Sequence, residues 1–331
     1  MKILINDDIP EDLWKSFLSE NQFASPFQSR DFYCLINATA GLSAVAIAVL
    51  NGVQILALAV LTLQEERGVA GFFSRRAIIY GGPLADTRFP EAVNLLLTQI
   101  PALVKGKAIY AEIRNLNDYG CFRDIYTGHG WDYVPYVNFL VATGDVDQMT
   151  RNVSSSRLRQ IRKAISSGVS WKEARSLKEV RGFFEILEEL YRTKIKKPML
   201  PWEFFREAFE RKFGVFLMVV FKGNIIGGIM CPVLERRAIY EFYVCGLDSE
   251  YKEQYPSVMA TWACMEYAGR NAIPLFDFMG AGISGEGYGV RDFKERFGGK
   301  LVGYGRFRKI INPILFRAGV LGLKIRAGLK K

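Results

Sequence analysis

At 331 residues the chain is long enough for two domains of ordinary size, and with half of its residues hydrophobic and 24% charged it excludes a largely disordered or fibrous protein. A formal charge of +10 and a pI near 9.3 point to a polyanionic neighbour, whether nucleic acid, a phosphate-bearing substrate or an anionic membrane surface, without choosing among them. Cys34, Cys121, Cys231, Cys245 and Cys264 stand singly with no C-x-x-C pair, which argues against disulfides or a zinc site and for a reducing compartment.

In chain order, Asp7, Asp8 and Glu11 stand where the apolar core of a signal peptide would be, so no leader is expected. Leu13, Trp14, Phe17 and Leu18 recur at helical spacing and predict an amphipathic helix over 9–20. A turn at Ser25-Pro26-Phe27-Gln28-Ser29 leads into a second helix from Arg30 to about Ala38. The run Leu42 to Leu63 carries no charge and is long enough to span a bilayer, but Asn51-Gly52 interrupts it as a hairpin turn would. Phe72-Phe73 and Ala77 to Pro83 read as further strand and turn, Pro90 to Val104 as a helix, and Ala108 to Ile113 as a strand. The one histidine, His129, lies between two glycines, where a turn role is expected and no catalytic triad can be assembled. A strand from Tyr136 to Val141 follows, then a polar helix from Val146 to Ser167. Its Arg157, Arg159, Arg162 and Lys163 form either a solvated basic connector or a phosphate-binding face.

The second half repeats the first. The apolar runs 215–221 and 225–234 flank Lys222-Gly223-Asn224 as the earlier ones flank Asn51-Gly52, and 239–246 answers 78–82. Helix 256–268 and strand 275–278 answer helix 90–104 and strand 109–113, and Arg123-Asp124, Gly130, Tyr136 and Phe139 align without a gap with Arg291-Asp292, Gly298, Tyr304 and Phe307. Such order argues for duplication of one α/β unit. Because the second hairpin carries Lys222 and Glu235, the 42–63 run is expected to be sheet as well.

The stretch Pro274 to Gly280 reads as a buried strand that opens, after Asp277, into a loop with glycines at 280, 282, 285, 287 and 289. The loop is either a mobile surface segment or a place where backbone approaches a ligand closely. Asp277 either braces it by accepting backbone N–H bonds or serves as a general base; Glu241 and Tyr243 are weaker candidates of the same kind.

Several segments carry a resemblance: Pro26-Phe27-Gln28-Ser29, Arg157 to Val169, Tyr251 to Pro256 ahead of a helix with Trp262, Phe276-Asp277-Phe278 with Gly280, and Phe293-Lys294-Glu295-Arg296-Phe297-Gly298-Gly299. In this order they resemble the FemABX family of peptidoglycan bridge aminoacyltransferases, built on tandem GNAT-type acyltransferase folds. The resemblance implies an α/β (α+β) fold of two GNAT-like domains, each a mixed, mostly antiparallel sheet with flanking helices. Their expected extents are 1–145 and 146–310, with a basic connector helix at 146–168 and a basic amphipathic tail at 311–331. It also implies transfer of an amino acid from aminoacyl-tRNA to an amine of a phosphate-bearing envelope precursor, with no cofactor and no metal. Phe293 and Lys294 would stand near the acceptor and, with Asp277, form the catalytic set. Gln28, Arg159, Arg162, Lys163, Tyr243 and Arg291 would bind substrate.

The long coiled-coil arm of some members is missing, since only a short polar stretch separates Tyr191 from Phe213. Ordinary GNAT enzymes cradle the coenzyme A pyrophosphate on a glycine-rich turn before the main helix, but neither Tyr251 to Ser257 nor Ala85 to Pro90 contains glycine. A donor held by another route, such as the end of a charged tRNA, is therefore expected. The alternatives are an acyl-CoA or acyl-carrier-dependent N-acyltransferase acting on a surface sugar, and a non-catalytic RNA- or envelope-binding module. In the tail, Ile314, Leu315, Phe316, Val320, Leu321, Leu323, Ile325 and Leu329 alternate with Arg317, Lys324, Arg326, Lys330 and Lys331. This pattern suits either a helix packed on its domain or one lying on an anionic membrane, at the inner face of the cell membrane of a cytoplasmic protein.

Overall fold

The computed structural model describes residues 1–65, 71–285 and 289–328. The chain divides into two compact units, Met1–Pro135 with Tyr304–Lys331, and Tyr136–Gly303.

In the first unit the uncharged 42–63 run folds as a hairpin of Ser43–Asn51 and Gln54–Gln64, with Asn51 opposite Gln54. Gly52 turns it at φ 58°, a left-handed conformation that glycine adopts at no steric cost. The sheet runs in the order Lys2–Ile5, Ser43–Asn51, Gln54–Gln64, Arg76–Gly81, Tyr110–Asn115, Arg306–Ile310, Asp132–Val134. Of these neighbours only Arg76–Gly81 and Tyr110–Asn115 are parallel. Helix Pro90–Val104 starts on a proline whose missing N–H is no loss at a first turn, and its Val93, Leu96, Leu97, Ile100 and Val104 form one buried stripe. That stripe packs in one core with Ile47, Val49, Ala57, Ala59, Ile79, Ala111 and Ile113.

The second unit has the same plan with its sheet parted. Val215–Phe221 and Asn224–Cys231 form the matching hairpin, and both hairpins slip register at the same place, between Val49/Leu50 and between Val219/Val220. One sheet has the order Tyr243–Gly246, Asn224–Cys231, Val215–Phe221, Ser170–Glu173; the other has Val233–Leu234, Ala238–Tyr240, Leu275–Asp277, Asn138–Ala142, Lys300–Val302. Helix Pro256–Arg270 is buried through Val258, Met259, Ala260, Ala263, Cys264, Met265 and Ala268 in a core that includes strand residues of both sheets.

The compact units do not coincide with the expected boundaries at 145 and 310. Asn138–Ala142 lies between Leu275–Asp277 and Lys300–Val302, and Arg306–Ile310 lies between Tyr110–Asn115 and Asp132–Val134. The last strand of each repeat thus completes the other repeat's sheet, where both its edges find hydrogen-bond partners. Three local readings also change. Phe72-Phe73 lie in a short helix, Gly71–Ser74, not a strand. The polar helix expected over 146–167 is two helices, Val146–Asn152 and Ser155–Ser166, with the Ser154 hydroxyl accepting from Arg157 N at 3.4 Å to cap the second. The stretch between Tyr191 and Phe213 contains a helix, Trp202–Glu210. Helix Pro313–Gly328 packs the Phe316 ring 5.9 Å from that of Tyr110, while Ile314 and Leu321 are exposed. The side chains of Leu323, Lys324, Ile325 and Arg326, together with Leu329, Lys330 and Lys331 of the tail and Gly287 of the glycine loop, lie outside the described residues.

Candidate active site

Within the second unit, the segment after Ala238–Tyr240 changes sheets at Glu241-Phe242. Glu241 N donates to Asp277 O at 2.9 Å in one sheet, and Phe242 N donates to Met230 O at 3.2 Å in the other. The sheets part at this point, and strand ends at such a parting are where open α/β sheets place ligands. Three ionisable side chains meet there, all buried: Glu241, Asp277 and Lys294.

The Lys294 ammonium pairs with Glu241 Oε1 at 2.9 Å and donates to Phe278 O at 2.7 Å and Gly280 O at 2.9 Å. An ammonium has three donors, so all are engaged. Lys294 therefore ties the glycine loop to Glu241. Asp277 Oδ1 accepts from Asn138 Nδ2 at 2.8 Å and Met279 N at 2.6 Å, while Asn138 Oδ1 accepts from Gly280 N at 2.7 Å. Burial pushes the Asp277 carboxyl up to about 6, against the Asn138 and Met279 bonds and the nearby Lys294. Burial also raises Glu241, with Lys294 and Thr261 opposing. Glu241 holds the ammonium and Asp277 lies within its field without bonding to it, so the cluster can take up or release a proton near neutral pH.

Phe293 is half-buried and held from the connector helix. The Arg157 guanidinium lies 4.5 Å from the Phe293 ring centre and 4.7 Å from that of Phe297, and its Nη2 donates to Phe293 O at 3.1 Å. Arg157 is itself buried and makes no ion pair among the described residues; burial, then the neighbouring Arg296, lower it to about 10. Gly298 has φ +80°, and a Cβ there would stand 2.2 Å from Asn152 O, so the glycine lets the loop's end pass against the connector backbone.

The other expected residues fare differently. Arg291 donates to Ala281 O at 3.1 Å and to Ile283 O, and so braces the same loop. Tyr243 accepts from Leu200 N at 3.2 Å and packs 5.1 Å from the Phe205 ring. Arg159 and Arg162 are exposed on the connector helix; Lys163, also exposed, pairs with Glu253. Gln28 belongs to the first unit and is fully buried. Its Oε1 accepts from Ser25 N at 2.8 Å and its Nε2 donates to Gly82 O at 3.0 Å, so its amide braces a turn. His129 reaches Asn94 Oδ1 at 2.8 Å at the end of helix Arg123–Gly128.

Sequence reasoning missed Asn138 and Asp248. Asn138 had a signal, being the one amide in an apolar strand. Asp248 had none locally: its carboxylate accepts from Ser257 N at 3.1 Å and from the Ser257 hydroxyl, and so occupies the N-terminus of helix Pro256–Arg270. Pro256 brings no N–H to that turn, and a Cβ on Gly246 would lie 2.5 Å from Ser257 N, so the adjoining strand end is pressed against it as well. An anion site at this helix end is thus filled by the protein's own carboxylate.

The acetyltransferase (GNAT) domain family matches residues 151–295. Among solved structures, FemX is similar at a TM-score of 0.72 and 14% identity, covering 96% of this chain and 99% of that one. L-PGS from Bacillus licheniformis follows at 0.60 and 12%, with 96% of each chain covered. A tandem GNAT protein from the clavulanic acid biosynthesis pathway is similar at 0.57 and 11%, covering 94% of this chain and 99% of that one. No curated protein matches by sequence. At these identities the structural likeness is one of fold: the chain carries two GNAT-like units in tandem and has the fold of FemX over nearly its whole length.

Proposed function

We propose that the chain is an acyltransferase that moves an aminoacyl group from a charged tRNA to an amine of a cell-envelope precursor. The fold shared with FemX and L-PGS supports the transfer class. The observation that carries the choice of donor is Asp248. A pyrophosphate on the N-terminal amides of the main helix would meet that carboxylate and the proline beside it. An ester borne on the end of an RNA needs no such cradle. In the reaction, the neutral amine attacks the ester carbonyl, the C–N bond forms, the ester C–O bond breaks, and the ribose hydroxyl leaves with a proton. Asp277, ionised above about pH 6, takes the proton from the attacking amine, directly or through water. Lys294 and Glu241 hold the loop around it, Arg157 sets Phe293, and the exposed Arg159 and Arg162 are the phosphate contacts of the proposal. The basic tail helix, with Ile314 and Leu321 outward, would rest on the inner face of the cell membrane.

The acetyltransferase description of the matched domain favours a second reading, an acyl-CoA-dependent N-acyltransferase acting on a surface sugar. Incubating the protein with labelled charged tRNA and, separately, labelled acyl-CoA over an envelope-precursor extract distinguishes the two. Label passing from tRNA supports the proposal; label passing from acyl-CoA alone overturns it.

A further inference from the structure

The first unit's sheet gathers cations on the face turned away from its helix core. Along Tyr110–Asn115 the alternation sends Ala111 and Ile113 into the core and leaves Tyr110, Glu112 and Arg114 on the opposite face. The antiparallel strand Arg306–Ile310 sets Arg308 opposite Glu112 and Arg306 opposite Arg114. Three guanidiniums therefore converge on one buried carboxylate: Arg114 Nε at 2.6 Å and Arg306 Nη1 at 3.4 Å from Oε1, and Arg308 Nη2 at 3.2 Å from Oε2. Burial would raise Glu112, but the three arginines outweigh it and hold the carboxyl at about 2.

Stability alone does not call for this arrangement. Setting several cations around one buried anion adds repulsion and desolvation that a single pair would avoid. Among the described residues, Glu112 is the one carboxylate ion-paired to Arg114 or Arg308; Asp132, opposite Arg308 on the next strand, is exposed and joins no ion pair. Both arginines also reach the surface, with side chains 31% and 40% exposed. Arg308 Nε is buried with no hydrogen-bond partner. The planes are steadied by aromatic rings, Arg114 lying 5.3 Å from the Tyr80 ring centre and Arg308 5.8 Å from that of Tyr110. Two steadied forks beside one shared carboxylate suit an oxyanion with several acceptor oxygens, which guanidiniums bind in bidentate fashion.

We propose that Arg114 and Arg308 form a binding site for a phosphoryl or pyrophosphoryl group on the first unit's sheet, with Glu112 as the internal anion that holds them in place. The site is separate from the Asp277 cluster and does not depend on the donor assigned to the reaction. Its ligand is a small phosphorylated compound; an RNA backbone offers the same chemistry and is separated by the test. Titration calorimetry of the full chain with inorganic pyrophosphate, and with a short single-stranded RNA, reads it out. The expected result is saturable pyrophosphate binding that weakens at least tenfold in Arg308→Ala and several-fold in Arg308→Lys, which keeps the charge and loses the fork. Lys222→Met, at a hairpin tip of the second unit, leaves it unchanged. Glu112→Gln, by removing the competing anion, binds pyrophosphate more tightly, whereas a purely structural network would only lose stability. If Glu112→Gln does not fold, Arg308→Lys decides. Absence of saturable binding, equal affinity in wild type and Arg308→Lys, or saturable binding of the RNA alone overturns the proposal.

Discussion

Replacing Lys294 by Met removes a buried cation whose three donors are bonded to Glu241 and to the carbonyls of Phe278 and Gly280. The carboxylate left behind is 6% exposed, and its remaining hydrogen-bond donor is the Thr261 hydroxyl at 3.5 Å. Breaking one side of a buried pair costs about 3–5 kcal/mol, because the surviving charge is uncompensated. In a domain the size of the second unit each kcal/mol moves the midpoint by about 2–4 °C, so a fall in Tm of roughly 6–20 °C is expected. Circular dichroism melts of wild type, Lys294→Met and Lys294→Met/Glu241→Gln measure it. The double variant should recover part of the loss, since the stranded charge has gone. A Tm for Lys294→Met within about 2 °C of wild type, or a double variant no more stable than the single, would refute the reasoning.

Asp277 carries a pH signature of defined sign. Its folded value of about 6 lies above the ordinary 3.8, so its contribution to stability is fully present below the ordinary value and is lost as pH rises through about 6. A shift of about two units corresponds to on the order of 3 kcal/mol, so urea unfolding of Asp277→Asn between pH 4 and 7 should show a flatter profile than wild type, and an identical slope would contradict the assignment. Glu112 acts in the opposite sense, with stability present above 4.5 and lost as pH falls towards about 2. For the tail, deletion of 313–331 should abolish sedimentation with anionic liposomes; unchanged sedimentation removes the membrane reading.

The hairpins were legible because Asn51-Gly52 and Lys222-Gly223-Asn224 interrupt apolar runs in the same way, and the repeat turned an ambiguous membrane-length segment into sheet. The exchange of Asn138–Ala142 and Arg306–Ile310 between units was not, because a strand's own sequence does not say which sheet edge it meets. At the site, Asp277 was visible from the loop it opens, and the Phe293-Lys294 pair from the family resemblance. What Lys294 bonds to was not, since Glu241 lies 53 residues away in sequence and only the parting of the sheets brings them together. The bracing of the turn by Gln28 was not legible either, because its partner Gly82 lies 54 residues away in sequence.

The most direct test of the account is the pH dependence of single-turnover transfer from charged tRNA to the envelope acceptor, with donor and acceptor saturating. If Asp277 accepts the amine proton, the rate rises with pH through an apparent value near 6 and this limb disappears in Asp277→Asn. A wild-type rate that is flat across this range, or an Asp277→Asn variant that transfers at the wild-type rate with the same profile, would contradict it.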